Sequence, residues 1–224
     1  MKKFADRTDA GRYLAEHLEQ FRDRHDVIVL ALPRGGVPVA FAIAEHLHAP
    51  LDIFLVRKLG FPGHEEFALG AIASGGVRVL NPAAFQVAKV SEDQIDAIAA
   101  REQTELERRE AEYRGNRPHP ELQGKTIILV DDGLAPGSTM RAAVAALQQK
   151  NPAKIIVAVP VASADACEVL SREASEVYCA FVPEPFHAVG LWYEDFSQTS
   201  DDEVNELLER AEHFGDQPRP LLRV

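Results

Sequence analysis

The chain of 224 residues carries 24 Lys and Arg against 35 Asp and Glu, a formal net charge of −11, with 46% hydrophobic and 26% charged residues. That is the composition of a folded soluble domain long enough for one sizeable core, read here as a single domain over residues 1–224, and its acidic excess argues against a nucleic-acid-binding surface. No segment reaches the ~20 apolar residues that cross a bilayer, and Met1 to Arg7 leads into no apolar run of signal-peptide length; neither export nor membrane contact is expected, and the cytoplasm is the default compartment.

In chain order, Ala10, Tyr13, Leu14, Leu18 and Phe21 recur at three and four, which predicts an amphipathic helix over Asp9 to Phe21. Val27 to Leu32 is a continuous apolar run, typical of a strand buried on both faces, and Pro33-Arg34-Gly35-Gly36 closes it ahead of a helix from Pro38 to Leu47. Leu51 to Val56 predicts a second buried strand, ended by a turn at Leu59 to Gly63. Ala68 to Ala73 and Val77 to Leu80, around Ser74-Gly75-Gly76, predict a hairpin. Ser91 with Gln94 forms a capping-box pattern opening a long, mostly solvated helix from Glu92 to about Tyr113.

Thr126 to Val130 predicts a third buried strand, followed by a loop and a helix from Ser138 to Gln149. Ile155 to Val161 and Val177 to Phe181 predict two further strands flanking a short helix at Asp165 to Ser171. Ser200 with Glu203 offers a second capping box for a helix to about Glu212, and Phe214 to Val224 reads as a tail. The alternation predicts an α/β fold with a mainly parallel central sheet, helices on both faces, and ligands beyond the carboxyl ends of the strands. Cys167 and Cys179, twelve apart, match no metal or redox spacing and are expected to be two buried thiols in a reducing compartment.

The chemistry concentrates after the third buried strand, where Asp131-Asp132 precede Gly133-Leu134-Ala135-Pro136-Gly137-Ser138-Thr139. Adjacent carboxylates can accept hydrogen bonds from the vicinal hydroxyls of a ribose. Backbone N–H groups at a helix start, with the Ser138 and Thr139 hydroxyls, can hold a phosphate. Pro33 to Pro38 places two glycines, where the backbone can approach an anion, beside the forked donor Arg34, and Arg57-Lys58 adds two cations at the end of the second strand. His64 and His187 are candidate acids or bases, with no partner identifiable in the sequence.

The stretch Ile127 to Thr139 resembles the diphosphoribose-binding signature of the type I phosphoribosyltransferases, and the whole is most similar to bacterial phosphoribosyltransferase-like proteins with a Pro-Arg-Gly-Gly-Val-Pro segment. The resemblance implies a small hood and flap added to the sheet. The hood would be formed by residues 182–199 with the N-terminal helix, and the flap would include Glu65, Glu66 and residues 70–76. It implies transfer of the phosphoribosyl group of magnesium-bound 5-phosphoribosyl-1-diphosphate (PRPP) to a nitrogenous base. Asp131 and Asp132 would bind the ribose hydroxyls, and Mg²⁺ through ribose or water; Ala135 to Thr139, with Gly133, Gly137 and Ser138, would bind the 5-phosphate. Arg34, Gly35, Gly36, Arg57 and Lys58 would hold the diphosphate, and Phe186, with Trp192 and Tyr193 next, would stack on the base as in purine salvage transferases.

Three departures from the pattern bear on function. Pro136 stands where Thr is common and removes a hydroxyl and an N–H from the phosphate cradle. Ala135 replaces the acid of the hypoxanthine and guanine transferases, and Ala162-Ser163 stands where the purine-reading lysine is expected. They open an alternative, a non-catalytic protein that binds PRPP or a nucleotide and regulates a partner. A metal-dependent hydrolase is the third reading, weakened because no further ligand cluster accompanies the acids. The acceptor base stays undetermined, and homo-oligomerisation stays open.

Overall fold

The computed structural model describes residues 3–61, 64–80, 91–115, 117–135 and 137–214. Its central sheet contains β1 (Val27–Ala31), β2 (Leu51–Ile53), β6 (Thr126–Val130), β7 (Lys154–Val161) and β8 (Glu176–Phe181). These five strands are parallel and lie in the order β2-β1-β6-β7-β8. A second, antiparallel sheet joins β3 (Val56–Phe61), β4 (His64–Ala73) and β5 (Val77–Leu80). The α/β class and the mainly parallel sheet expected from the alternation are both present.

The apolar runs that predicted buried strands divide their side chains between two cores at a period of two. Val27, Val29 and Ala31 join one core with Ile128, Val130, Ile156 and Ala158. Ile28, Leu30, Ile127, Leu129, Ile155, Val157 and Val159 join the other. The first core is covered by α1 (Arg7–Glu16), α2 (Gly36–Leu47), α3 (Glu92–Arg114) and α6 (Asp201–Arg210). The second is covered by α4 (Ser138–Gln148) and α5 (Ala164–Glu173). Each fully buried aliphatic side chain contributes about 1.5–3 kcal/mol relative to exposure, so these two layers hold the ends of β1 and β6 side by side.

Several boundaries differ from the sequence reading for identifiable reasons. The helix expected over residues 9–21 ends at Glu16 and continues as a 3-10 turn, Glu19–Phe21. The strand expected over residues 51–56 is split. Ser74, from the turn of the β4–β5 hairpin, accepts the Leu55 N–H on its Oγ at 2.8 Å and donates its own N–H to Leu55 O at 2.9 Å. That pairing diverts the chain out of the parallel sheet, so Arg57 and Lys58 lie inside β3, not at the end of β2. The turn expected at residues 59–63 is in part strand, since β3 runs to Phe61.

The hairpin around Ser74-Gly75-Gly76 is present, its two glycines at φ of +72° and +73°, where a side chain would be strained. The Ser91–Gln94 capping box is also present. Its helix is less solvated than expected: Ile95, Ile98, Ala99, Leu106 and Tyr113 are buried, and Arg57 pairs with Glu102 at 2.6 Å. The tail beyond Phe214 and the residues 62, 63, 81–90, 116 and 136 lie outside the described set.

The cysteines require a correction. Cys167 on α5 and Cys179 on β8 are joined as a disulfide, because α5 returns antiparallel over the strand that follows it. A spacing of twelve residues says nothing about that fold-back.

Gly11 sets the crossing of α1 over α2. A Cβ there would lie 2.4 Å from the Val39 carbonyl oxygen and 2.8 Å from Ala42 Cβ. Helix propensity alone favours Gly11→Ala by about 1 kcal/mol. The packing reverses the sign, and Gly11→Ala is expected to destabilise the protein by about 1–3 kcal/mol in urea unfolding. A stabilised variant would contradict the tight crossing.

Candidate active site

The site is built where β1 and β6 end together. The strands pair in register from Val27–Thr126 to Ala31–Val130, and the Leu32 N–H extends the ladder to Val130 O at 2.9 Å. Their exit loops therefore meet. A Cβ on Gly35 would lie 2.0 Å from Asp132 Oδ2, and one on Gly36 would lie 2.7 Å from Val130 O and 3.0 Å from Asp131 Cα. Only glycine lets the 33–38 loop approach the acid pair this closely. The Pro33–Arg34 peptide is cis.

Asp132 is held from three directions. Arg7 of α1 donates from Nε to Oδ2 at 2.8 Å, and its Nη2 lies 2.8 Å from the same oxygen. The Tyr193 hydroxyl donates to the Asp132 carbonyl at 2.6 Å, and Gly35 closes against the carboxylate. The Asp131 carboxylate accepts one hydrogen bond among the described residues, from the Asp132 N–H to Oδ1 at 2.9 Å. Burial and the adjacent Asp132 charge push the Asp131 carboxyl well above the usual carboxylate range. Burial also raises Asp132, against the opposing pull of Arg7. Burial and the charge of Asp132 push the Tyr193 hydroxyl up, keeping it a phenolic donor at neutral pH.

The loop that follows is pinned to the end of β7. Leu134 N–H donates to Val161 O at 2.8 Å, Ser163 N–H donates to Leu134 O at 3.0 Å, and Ser163 Oγ donates to Ala135 O at 2.8 Å. Gly133 sits beneath Val189, whose Cγ1 would be 2.5 Å from a Cβ. Gly137, at φ +68°, is the N-cap of α4, and no side chain caps that helix. Ser138 and Thr139 are its first residues; Thr139 is exposed, and Ser138 lines a cavity wall with it. Among the described residues no side chain accepts from the first N–H groups of α4, the arrangement that suits an anion.

The remaining candidates are dispersed around the acids. Lys58, Ser138 and Thr139 share the wall of a 480 Å³ cavity between α4 and the β3–β5 sheet, with Arg141 and Glu173 also lining it. Pro33, Arg57 and Thr139 surround a smaller one of 60 Å³. The acids line neither cavity. Arg34 lies 3.6 Å from Asp201 at the start of α6, and Arg57 is engaged by Glu102. Phe186 and Trp192 are packed against the small cluster of Phe4 and Tyr193. The segment carrying them is tied to the N-terminus, where Phe4 N–H donates to Trp192 O at 3.0 Å and Glu194 N–H to Phe4 O at 2.8 Å. His187 is exposed, and nothing described of His64 bears on the site. Arg7 was missed by the sequence reading; it is one of several arginines in a charged N-terminal stretch, 125 positions from its acid partner.

A parallel sheet whose exit loops gather at the carboxyl ends of its strands is the arrangement in which open α/β proteins carry their ligands. The chain belongs to the phosphoribosyl transferase domain family, whose model matches residues 6–182. Two Mycobacterium tuberculosis proteins, from strains CDC 1551 and H37Rv, are provisionally named phosphoribosyl transferases and are each 44% identical over 211 residues. The chain spans about half the length of these curated relatives, 94% of it aligning with 47% of theirs. The crystal structure of TT1426 from Thermus thermophilus superimposes with a TM-score of 0.84 at 43% identity, covering 94% of this chain and 99% of that one.

Asp131 generates a prediction about pH. Its folded-state pKa lies above the unfolded one, so the folded chain keeps the proton to higher pH. The stability it contributes is fully present below the unfolded carboxylate range and is lost as pH rises through the folded value. Asp131→Asn keeps the acceptor for the Asp132 N–H, and its Tm is expected to exceed the parent's at neutral pH and to converge with it in acid. Equal or lower stability at neutral pH would contradict the buried charge.

Proposed function

We propose that residues 131–139 bind a 5-phosphorylated ribose and that the chain transfers the phosphoribosyl group of Mg²⁺-PRPP to a nitrogenous base, releasing diphosphate. The observation that carries this reading is the juxtaposition, on one connected loop, of the acid pair with the uncapped start of α4. Asp131 and Asp132 accept the ribose hydroxyls, while the amides of residues 137–139 with the Ser138 and Thr139 hydroxyls take the 5-phosphate. Gly35 and Gly36 let the backbone of the first loop approach the diphosphate, with Arg34, Arg57 and Lys58 as its cations. Phe186 and Trp192, in the segment anchored to Phe4, are assigned to the base.

In the reaction the base nitrogen forms a bond to ribose C1 as the bond from C1 to the diphosphate oxygen breaks. The electron pair leaves on diphosphate, and the base nitrogen gives its proton to solvent water. Positioning and electrostatics carry most of the work asked of the protein. Ala135 offers no carboxylate for that proton.

Magnesium fits the residues present. Among the described residues no cluster of three or more His, Cys, Asp or Glu could hold a metal. The pair Asp131-Asp132 suits an ion that keeps its waters and takes its other ligands from substrate oxygens. When bound it supplies positive charge to the departing diphosphate. The site of action we assign is the cytoplasm, although the Cys167–Cys179 bond is unusual for a reducing compartment.

A second reading, a regulatory protein that binds the same ligand without turnover, is favoured by Ala135 and by the Arg7 contact that already occupies one oxygen of Asp132. Two measurements separate the outcomes. Calorimetry with PRPP and Mg²⁺ should show saturable binding, and Asp131→Asn with Asp132→Asn should weaken it by about a hundredfold or more, each charge-assisted hydrogen bond contributing about 1.5–3 kcal/mol. Unchanged binding in the double variant would refute the site. Diphosphate release with a panel of bases supports the transferase; intact binding with silence across the panel supports the regulator.

A further inference from the structure

We infer that Arg7 is a positioning residue that orients Asp132 so that only its Oδ1 is offered to a ribose hydroxyl. The inference rests on the reading of residues 131–139 as a ribose-phosphate site and names a residue that neither the loop nor its motif contains.

Two donors of Arg7 converge on a single carboxylate oxygen, Oδ2, each at 2.8 Å. The same oxygen is walled by backbone, since a Cβ on Gly35 would stand 2.0 Å from it and 3.3 Å from Arg7 Nε. A ligand therefore has no approach to Oδ2. Oδ1 accepts no hydrogen bond from any described residue, and an ionised carboxylate has capacity for about four. The contact leaves Asp132 able to bind and restricts the side from which it does so.

The guanidinium is itself fixed. Its Nη1 donates to Ser197 O at 2.7 Å, and its Cζ lies 4.0 Å from the centroid of the Phe196 ring. Only 11% of the Arg7 side chain and 17% of the Asp132 side chain are exposed. A partly buried, forked and stacked arginine loses less freedom on pairing than a surface ion pair and is correspondingly more directional. At its other end Asp132 is held by the Tyr193 hydroxyl on its carbonyl. Arg7, Phe196 and Tyr193 thus fix both the backbone and the side chain of one acid, while the Asp131 carboxylate makes no direct ion pair among the described residues and feels Arg7 only at a distance. The acids are adjacent in sequence and different in role: Asp132 is a rigid acceptor whose direction is imposed by the N-terminal helix.

The test measures discrimination between sugars. Dissociation constants of the full chain are measured by calorimetry for ribose 5-phosphate, its 2-deoxy and 3-deoxy analogues, and inorganic phosphate. The wild type is expected to prefer ribose 5-phosphate over at least one deoxy sugar by about tenfold or more. In Arg7→Met that preference should collapse to within about twofold while inorganic phosphate binds as before, since the α4 amides are untouched. Arg7→Lys, which keeps the charge without the fork, should restore part of it. A merely structural role would lower phosphate and sugar affinities together.

Should Arg7→Met not fold, Phe196→Leu removes the ring beneath the guanidinium and leaves the charge. It and Arg7→Lys should each reduce the preference, and a full preference in both overturns the inference. Full preference in a folded Arg7→Met overturns it outright and leaves the ribose site standing. A wild type that does not distinguish the sugars at all overturns the ribose reading itself.

Discussion

The close contact between the loop after β1 and the acids after β6 is the constraint on which the site depends. The two strands are parallel neighbours in unbroken register, so their exits emerge side by side and one loop must pack on the other. With a side chain at position 35 the Asp132 carboxylate would be displaced, because the space a Cβ needs is the space Oδ2 occupies. The pair of glycines in the first loop thus permits the acids to sit where they do. The two loops come from segments nearly a hundred residues apart, and the sheet register with the glycine contacts brings them together.

Around that contact the protein places supports of different kinds. The loop from Leu134 to Ala135 is fastened to the end of β7 by backbone and Ser163 hydrogen bonds, and among the described residues no side chain caps the start of α4. The N-terminal segment pairs with residues 192–195 and sends Arg7 across to Asp132. A partly buried acid pair is costly, as the upward displacement of both carboxyls indicates, and on Asp132 that cost is opposed by the Arg7 guanidinium. Stability traded for a charged site is a familiar feature of binding loops.

Much of the architecture was legible in the sequence because its causes are local. The branched apolar runs of β1, β6 and β7 supply both cores at once, and such runs have few other uses. Gly75 and Gly76 marked their hairpin, and Ser91 with Gln94 marked the start of α3. The acids and glycines of the 131–139 loop were also visible, as a cluster of unlike residue types between a strand and a helix. What failed to show depends on distant partners. The break between β2 and β3 is made by Ser74, the cysteine bond by the return of β8 beneath α5, and the constraint on Asp132 by an arginine at the other end of the chain. Arg34 and Arg57 looked like available cations, yet each has an acidic neighbour that no local pattern announces.

A crystal structure of the protein with ribose 5-phosphate bound is the most direct test of the central claim. The phosphate should rest on the amides of residues 137–139, with the sugar hydroxyls on Asp131 and on Oδ1 of Asp132. Density for the ligand elsewhere, for instance within the cavity bounded by Lys58 and Arg141, with both carboxylates untouched, would contradict it.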